Sequence, residues 1–311
     1  MHPARWLRRI ALALLLVGAA GYFAFRFADP EREEITATTR TLVPGRFVHL
    51  SDGFTHYELA GPANGDVVVL AAGSTVPYYI WYPTFKFLVD SGFRVLRYDY
   101  YGRGYSDRPD IPYNEALYTR QLAELLDSLQ IDQPINLAGL SFGGSVVTSF
   151  TDRYPGRVKR LIYFDPFIRR PVAVPFKRRV PLVRDITALL AERSAAVGQL
   201  TDFLHPSRFP DWPVRYRPQL HYRGFRRARI ADALDASNLD QQPELDRLSK
   251  QDRPVFIVWG KQDSTVPIPA SRQLLAAFPR SQFVVVDSAG HLPQWEDPRS
   301  VHPALLAFLR R

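Results

Sequence analysis

Gly139-Leu140-Ser141-Phe142-Gly143 constrains this chain more than any other stretch. The run before it, Ile135-Asn136-Leu137-Ala138, is apolar and short enough for a buried strand. The segment after it, Gly144 to Tyr154, carries apolar residues at helical spacing. A serine between a strand and a helix sits in a strained turn that exposes its hydroxyl. Glycines two positions to either side let the two elements pass closely. The same turn aims the Phe142 backbone N–H at the space above Ser141, where an oxyanion would form.

Two later strand ends supply partners for that serine. Val255-Phe256-Ile257-Val258-Trp259 breaks at Gly260 and delivers Asp263 into a loop. Phe283-Val284-Val285-Val286 ends in Ser288-Ala289-Gly290-His291. An acid and a histidine, each just past a strand's C-terminal end, can meet a nucleophile at one edge of a parallel sheet. In that arrangement His291 would take the Ser141 proton, and Asp263 would hold the imidazole tautomer and stabilise the imidazolium.

From Val43 to Arg311 the chain resembles the α/β-hydrolase fold family. Five landmarks carry the resemblance, in the family's order. They are Gly73 in an oxyanion-loop position, Arg97-Tyr98-Asp99-Tyr100-Tyr101-Gly102-Arg103-Gly104-Tyr105-Ser106, the serine turn, Trp259-Gly260-Lys261-Gln262-Asp263, and Gly290-His291-Leu292-Pro293. The order Ser, Asp, His is also that of the family. The Asp99 to Ser106 loop and the Pro77 to Trp81 region look most like esterases, lipases and carbon–carbon-bond hydrolases. Ser141 is unlike the epoxide hydrolases and haloalkane dehalogenases, which place an aspartate there. The family usually has His-Gly in the oxyanion loop, where this chain has Ala72-Gly73. The resemblance places the second oxyanion donor at the Ser74 backbone N–H. Some members take the acid from the strand after the serine helix, which makes Asp165 the competitor of Asp263. Asp99 and Arg103 are expected to brace their loop.

The resemblance implies an α/β fold, a mostly parallel sheet with helices on both faces. The implied activity is cleavage of a carboxylic ester, lipid esters included, through an acyl-enzyme. Two alternatives stand beside it: a carbon–carbon-bond hydrolase with the same triad, and a catalytically silent binding protein. The complete Ser, Asp and His set argues against the silent protein. The chain has no cysteine, which excludes disulfides and thiolate chemistry. It also has no P-loop, no His-Glu-x-x-His and no cluster with metal spacing, so neither cofactor nor metal is expected. His49, His56, His205, His221 and His302 lack the Gly-His context at a strand end and read as structural or solvated.

The N-terminus is of different composition. Ile10 to Phe25 contains no charged residue, and Trp6, Leu7 and Phe27 extend the apolar span. Arg5, Arg8 and Arg9 precede it, whereas Asp29, Glu31, Glu33 and Glu34 follow. By the positive-inside rule, residues 1–28 anchor the protein with the catalytic domain outside the cytoplasm. A cleaved signal peptide is the rival, since Gly18 and Ala20 suit a cleavage site. Tyr22-Phe23-Ala24-Phe25 favours anchorage. Residues 29–42 read as a linker, and residues 43–311 as the catalytic domain.

Strands are expected at Arg46 to Leu50, Thr55 to Ala60, Val67 to Ala71, Arg94 to Tyr98 and Val158 to Phe164. Helices are expected at Thr84 to Ser91, Asn114 to Leu129, Ile268 to Phe278 and Val301 to Leu309. This rhythm fails between about 167 and 248, where prolines recur at 171, 175, 181, 206, 210, 213 and 218. In the family that interval holds an inserted cap. Phe203, Trp212, Tyr216 and Tyr222 are expected to roof the pocket over Ser141. Arg169 to Arg229 holds 14 Lys plus Arg against 4 Asp plus Glu, a net of +10, while the whole chain is +9. The cap therefore carries the excess charge. It suits anionic lipid headgroups or an acidic substrate, or serves solubility alone. No recognition motif points to nucleic acid.

Overall fold

Eight strands lie side by side in the order β1-β2-β4-β3-β5-β6-β7-β8. They are β1 (Arg46–Leu50), β2 (Gly53–Ala60), β3 (Val67–Ala71), β4 (Arg94–Tyr98), β5 (Ile135–Leu140), β6 (Val158–Phe164), β7 (Val255–Gly260) and β8 (Gln282–Val286). This computed structural model describes residues 3–168, 175–235 and 239–311. The β1–β2 pair is an antiparallel hairpin, and β2 runs antiparallel to β4. Every pairing from β4 through β3 to β8 is parallel. Strands β3, β5 and β7 are buried along their whole length. Helices cover both faces of such a sheet, so its strands read as unbroken apolar runs with no alternation.

Packed against it are helices Tyr82–Asp90, Glu115–Ser128, Phe142–Arg153, Ser271–Ala277 and Pro298–Leu309. Asn114 caps the second, its Oδ1 accepting from Leu117 N at 3.0 Å. The helix expected over Ile268 to Phe278 is divided, a 3-10 turn at Ile268–Ala270 preceding Ser271–Ala277. Pro267 and Pro269 have no amide to donate there, which delays the regular helix.

The N-terminal helix spans Pro3–Ala28, and within it Arg8–Ala28 is long and apolar enough to cross a membrane. Its Leu12, Leu15, Leu16, Tyr22 and Phe23 side chains are exposed. The stretch after it is not the plain linker expected for 29–42. Residues Ala37–Leu42 form a short helix, with Thr36 and Thr39 bonding each other's backbone in a capping box. Asp29 to Glu33 docks on the cap. Glu33 pairs with Tyr222 in a β-bridge, and Arg32 N and Glu33 N both donate to His221 O at 2.9 Å. The Glu31 carboxylate accepts from Gly224 N and Arg226 N at the start of helix Phe225–Asp235, where anionic charge is favoured. Ion pairing and backbone bonding leave no periodic trace in sequence, which is why this docking was not legible there.

Between β6 and β7 the proline-rich interval is a helical cap. Its described segments are Phe176–Arg179, Pro181–Gly198, Trp212–Tyr216, Phe225–Asp235 and Gln242–Leu248, with 3-10 turns at Gln199–Asp202, Pro206–Arg208 and Arg217–His221. Proline takes an early position in three of the five, where its missing amide costs nothing. Arg169, Arg170 and Pro171 of the basic stretch lie outside the described residues.

Candidate active site

Strands β3, β5, β6, β7 and β8 all point the same way, so Gly73, Ser141, Asp165, Asp263 and His291 emerge at one edge of the sheet. This crevice beyond the carboxyl ends of the strands is where open α/β sheets bind ligands.

Ser141 has φ 53° and ψ −121°, a strained conformation for a residue with a side chain. Its neighbours hold it there. Ser141 N donates to Phe164 O at 2.9 Å, and Ser141 O accepts from Gly144 N and Phe167 N, each at 2.8 Å. A Cβ on Gly143 would lie 2.5 Å from the Ala71 and Ala72 carbonyl oxygens, and one on Gly139 would lie 2.3 Å from Gly143 O. Only glycine allows these approaches. Phe142 is the first residue of helix Phe142–Arg153, so the positive end of the helix faces the serine.

The oxyanion loop passes beside it: a Cβ built on Gly73 would lie 3.7 Å from Ser141 Cβ. Ser74 follows, and its carbonyl accepts from Arg103 Nε. Arg103 is buried and its guanidinium reaches Asp232 on cap helix Phe225–Asp235 at 3.7 Å. One arginine thus fixes the oxyanion loop against the cap. Asp99 braces the loop from below, accepting from Tyr78 N at 2.7 Å and Tyr105 N at 3.0 Å.

His291 Nδ1 lies 2.7 Å from Asp263 Oδ2, and both side chains are buried. The other Asp263 oxygen accepts from Thr265 N at 2.8 Å and Val266 N at 2.9 Å. A carboxylate fixed this way holds the Nδ1 proton and leaves Nε2 as the acceptor. Among the described residues, no hydrogen bond closes the step from Ser141 Oγ to His291. Such bonds tighten in the substrate complex.

Asp165 is the second carboxyl at this edge, and the geometry separates it from Asp263. Its Oδ1 accepts from Gly260 N at 2.7 Å, while Oδ2 has no partner of ordinary geometry. Asp165, Asp263 and His291 present side-chain atoms within 4.8 Å of one another. Burial first, and the neighbouring Asp263 charge second, push the Asp165 carboxyl well above the usual carboxylate range. A neutral Asp165 can donate to Asp263. Of the three, His291 and Asp263 are joined by a hydrogen bond, while Asp165 is held through the Gly260 amide.

Two residues near His291 were not singled out from the sequence. Asp202, in the 3-10 turn Gln199–Asp202 of the cap, accepts from His291 N through its carbonyl at 2.8 Å. Burial raises its carboxyl, which accepts from Thr265 Oγ1 at 2.7 Å. Glu296 is buried and accepts from Gly290 N at 2.6 Å and His205 N at 2.9 Å, tying the histidine loop to the cap. Glu296 follows His291 by five positions, and a Gly-His-x4-Glu spacing is the one clue the sequence held.

Of the cap aromatics, Phe203 begins a cluster one residue after Asp202. It stacks on Phe209 at 4.1 Å and meets Trp212 at 4.9 Å, and Trp212 meets Trp295 at 5.0 Å and Tyr79 at 5.4 Å. Tyr216 packs on Phe225 and also lies near Thr75 and Tyr79 beside the oxyanion loop, whereas Tyr222 is placed otherwise, on Tyr105. The remaining histidines are not at the site. His56 is buried between Asp99 Oδ2 and Pro44 O, each at 2.7 Å, so both ring nitrogens are engaged. His302 is buried beside Thr84 and stacked on Phe87, and burial lowers it to about 4. His49, His205 and His221 are not buried.

Comparison with known proteins agrees with this architecture. The 2-hydroxy-6-oxononadienedioate/2-hydroxy-6-oxononatrienedioate hydrolase 1 of Pseudomonas putida is 27% identical over 284 residues, 85% of this chain and 96% of that protein. The corresponding hydrolase of Escherichia coli K12 is 29% identical over 241 residues, covering 72% and 79%. Among solved structures, a thermophilic esterase from Thermogutta terrifontis superposes with a TM-score of 0.70 at 26% identity, over 86% of this chain and 98% of that one. The sequence profile of the alpha/beta hydrolase fold matches residues 66–298. The chain belongs to the α/β hydrolase fold family.

Proposed function

We propose that this hydrolase cleaves carboxylic esters, lipid esters among them, by a serine mechanism. The observation that carries the reading is the strained Ser141 beside Gly73, at the same sheet edge as the Asp263–His291 pair. His291 Nε2 takes the Ser141 proton as Oγ attacks the ester carbonyl, and the tetrahedral oxyanion forms against the Phe142 and Ser74 amides. Collapse expels the alcohol, protonated by His291, and leaves an acyl-enzyme. Water activated by the same histidine then releases the acid and restores Ser141. The aromatic cluster from Phe203 to Trp295 supports an apolar acyl group beside His291.

Carbon–carbon-bond hydrolysis is the second reading, and the similarity of 27–29% identity to 2-hydroxy-6-oxononadienedioate/2-hydroxy-6-oxononatrienedioate hydrolases favours it. A graded series of p-nitrophenyl acyl esters, run beside a 2-hydroxy-6-oxo-dienoate, decides between them. Ester hydrolysis predicts the higher kcat/KM on one of the acyl esters. A dienoate kcat/KM exceeding every ester would replace it with the second reading. Failure of a fluorophosphonate probe to label Ser141 would remove both.

The enzyme is also proposed to be anchored by its N-terminal helix, with the catalytic domain extracytoplasmic. Arg8–Ala28 meets the length and apolarity of a span, and the basic flank precedes it. The full-length protein is expected to resist carbonate extraction, and deletion of residues 1–28 to yield a soluble, active hydrolase. Mature protein beginning near Gly21 in the soluble extracytoplasmic fraction would instead establish cleavage.

A further inference from the structure

One surface of the cap has no role in the chemistry described above. Helix Pro181–Gly198 buries Leu189, Glu192 and Ala196, at spacings of three and four residues. Its outer edge carries Val183, Ile186, Leu190 and Val197, also at helical spacing, exposed by 41%, 41%, 55% and 55%. Leu182 at 71% and Phe176 at 80% extend this edge at its N-terminal end. Such a continuous apolar stripe is unusual on a surface facing only water. Arg179 and Arg193 lie exposed along it.

The position of the N-terminal helix identifies what faces this stripe. Arg226 on helix Phe225–Asp235 bonds Asp29 Oδ2 at 2.9 Å and Glu192 Oε2 at 3.0 Å. Its guanidinium also lies 5.4 Å from the Phe25 ring. Phe25 and Asp29 are the end of the apolar helix and the residue just beyond it. Glu192 is on the stripe-bearing helix itself. A single arginine side chain therefore joins the cap helix to the point where the chain would leave the bilayer. The Glu31 carboxylate, bonded to Gly224 N at 2.8 Å, and the Glu33–Tyr222 bridge hold the same junction at two further points.

We propose that helix Pro181–Gly198 is an interfacial helix, its Val183–Ile186–Leu190–Val197 edge immersed in the anionic bilayer surface that the N-terminal helix enters. An amphipathic helix of this kind lies in the interface plane, with apolar side chains reaching about 5–10 Å into the headgroup and acyl boundary. Arginines on and beside the stripe meet lipid phosphates, in keeping with the cap's 14 Lys plus Arg against 4 Asp plus Glu. The helix leads directly into the turn Gln199–Asp202, whose last carbonyl holds the His291 amide. Docking thus sets the active-site edge beside the membrane, where a bilayer-partitioned ester would reach Ser141. The inference rests on the N-terminal helix being a retained anchor.

The chain contains no cysteine, so single-cysteine variants take a nitroxide at one chosen site. Ile186→Cys and Leu190→Cys report on the stripe, and Arg280→Cys, whose side chain is 80% exposed on the body, reports on water. The full-length protein is placed singly in nanodiscs of phosphatidylcholine and phosphatidylglycerol. Nitroxides at 186 and 190 are expected to relax more with oxygen than with a nickel chelate, and the one at 280 to show the reverse. Nickel accessibility at 186 and 190 equal to that at 280 would overturn the docking. Protection appearing only in discs that hold two chains would overturn it too, in favour of a second copy. Carbonate-resistant protein with water-exposed labels at 186 and 190 refutes the docking alone and leaves the anchor standing. Carbonate-released protein refutes the anchor, and with it the docking that rests on it.

Discussion

Ser141→Ala and His291→Ala will each lower kcat by roughly 10^6, the size of such losses in another serine hydrolase, and the double variant will fall little further. The serine is a weak nucleophile until a base takes its proton, and the base has no purpose here without the serine. Their effects therefore overlap instead of multiplying. The residual rate should still exceed that of water, because the Phe142 end of its helix and the aromatic cluster beside His291 remain in place. Steady-state kinetics on a chromogenic ester, with folding checked by thermal unfolding, read this out. Ser141→Ala at wild-type turnover would overturn the mechanism. Losses that multiply in the double variant would separate the two residues into independent roles.

Much of this arrangement was legible in the sequence because parallel sheets impose a simple grammar. Each buried strand is a short apolar run, and the chemistry lies in the few residues after it. Val158–Phe164 and Val67–Ala71 are observed at the bounds their apolar runs indicate. Gly139 and Gly143 announced the close packing around Ser141 by lacking side chains where carbonyl oxygens approach within 2.5 Å. The cap was legible only as an interruption. Its prolines suggested irregular chain, yet Pro181, Pro213 and Pro243 occupy early helical positions, where they suit a helix. Asp202, Glu296 and the Arg226 junction were hidden for a different reason. Each acts through a bond to a backbone amide or a distant charge, and such contacts link residues as far apart as 29 and 226 without periodicity.

The two buried aspartates make the sharper test, because they stand side by side and only one touches His291. Asp263→Asn replaces the acceptor at Nδ1 with an amide that can turn its N–H₂ toward the ring. The imidazole then carries its proton on Nε2 and cannot accept from Ser141. A loss on the order of 10^4 in kcat is expected, the magnitude of the same change in another triad enzyme. Asp165→Asn should cost less than tenfold. Burial and the Asp263 charge both push Asp165 toward its neutral form, which asparagine imitates closely. Its carbonyl oxygen can keep the bond from Gly260 N, and its amide can point toward Asp263 as a carboxylic O–H could. Asp165→Ala, in contrast, leaves a buried amide at Gly260 without its acceptor, and should lower stability by about 1–3 kcal/mol. That loss belongs to folding and will appear in the thermal unfolding of Asp165→Ala with a comparatively small change in kcat. If Asp165→Asn proved more damaging to kcat than Asp263→Asn in a properly folded protein, the acid would have to be reassigned to Asp165. The roles of Ser141 and His291 would survive that result, since both face the same edge from which either aspartate could reach the ring.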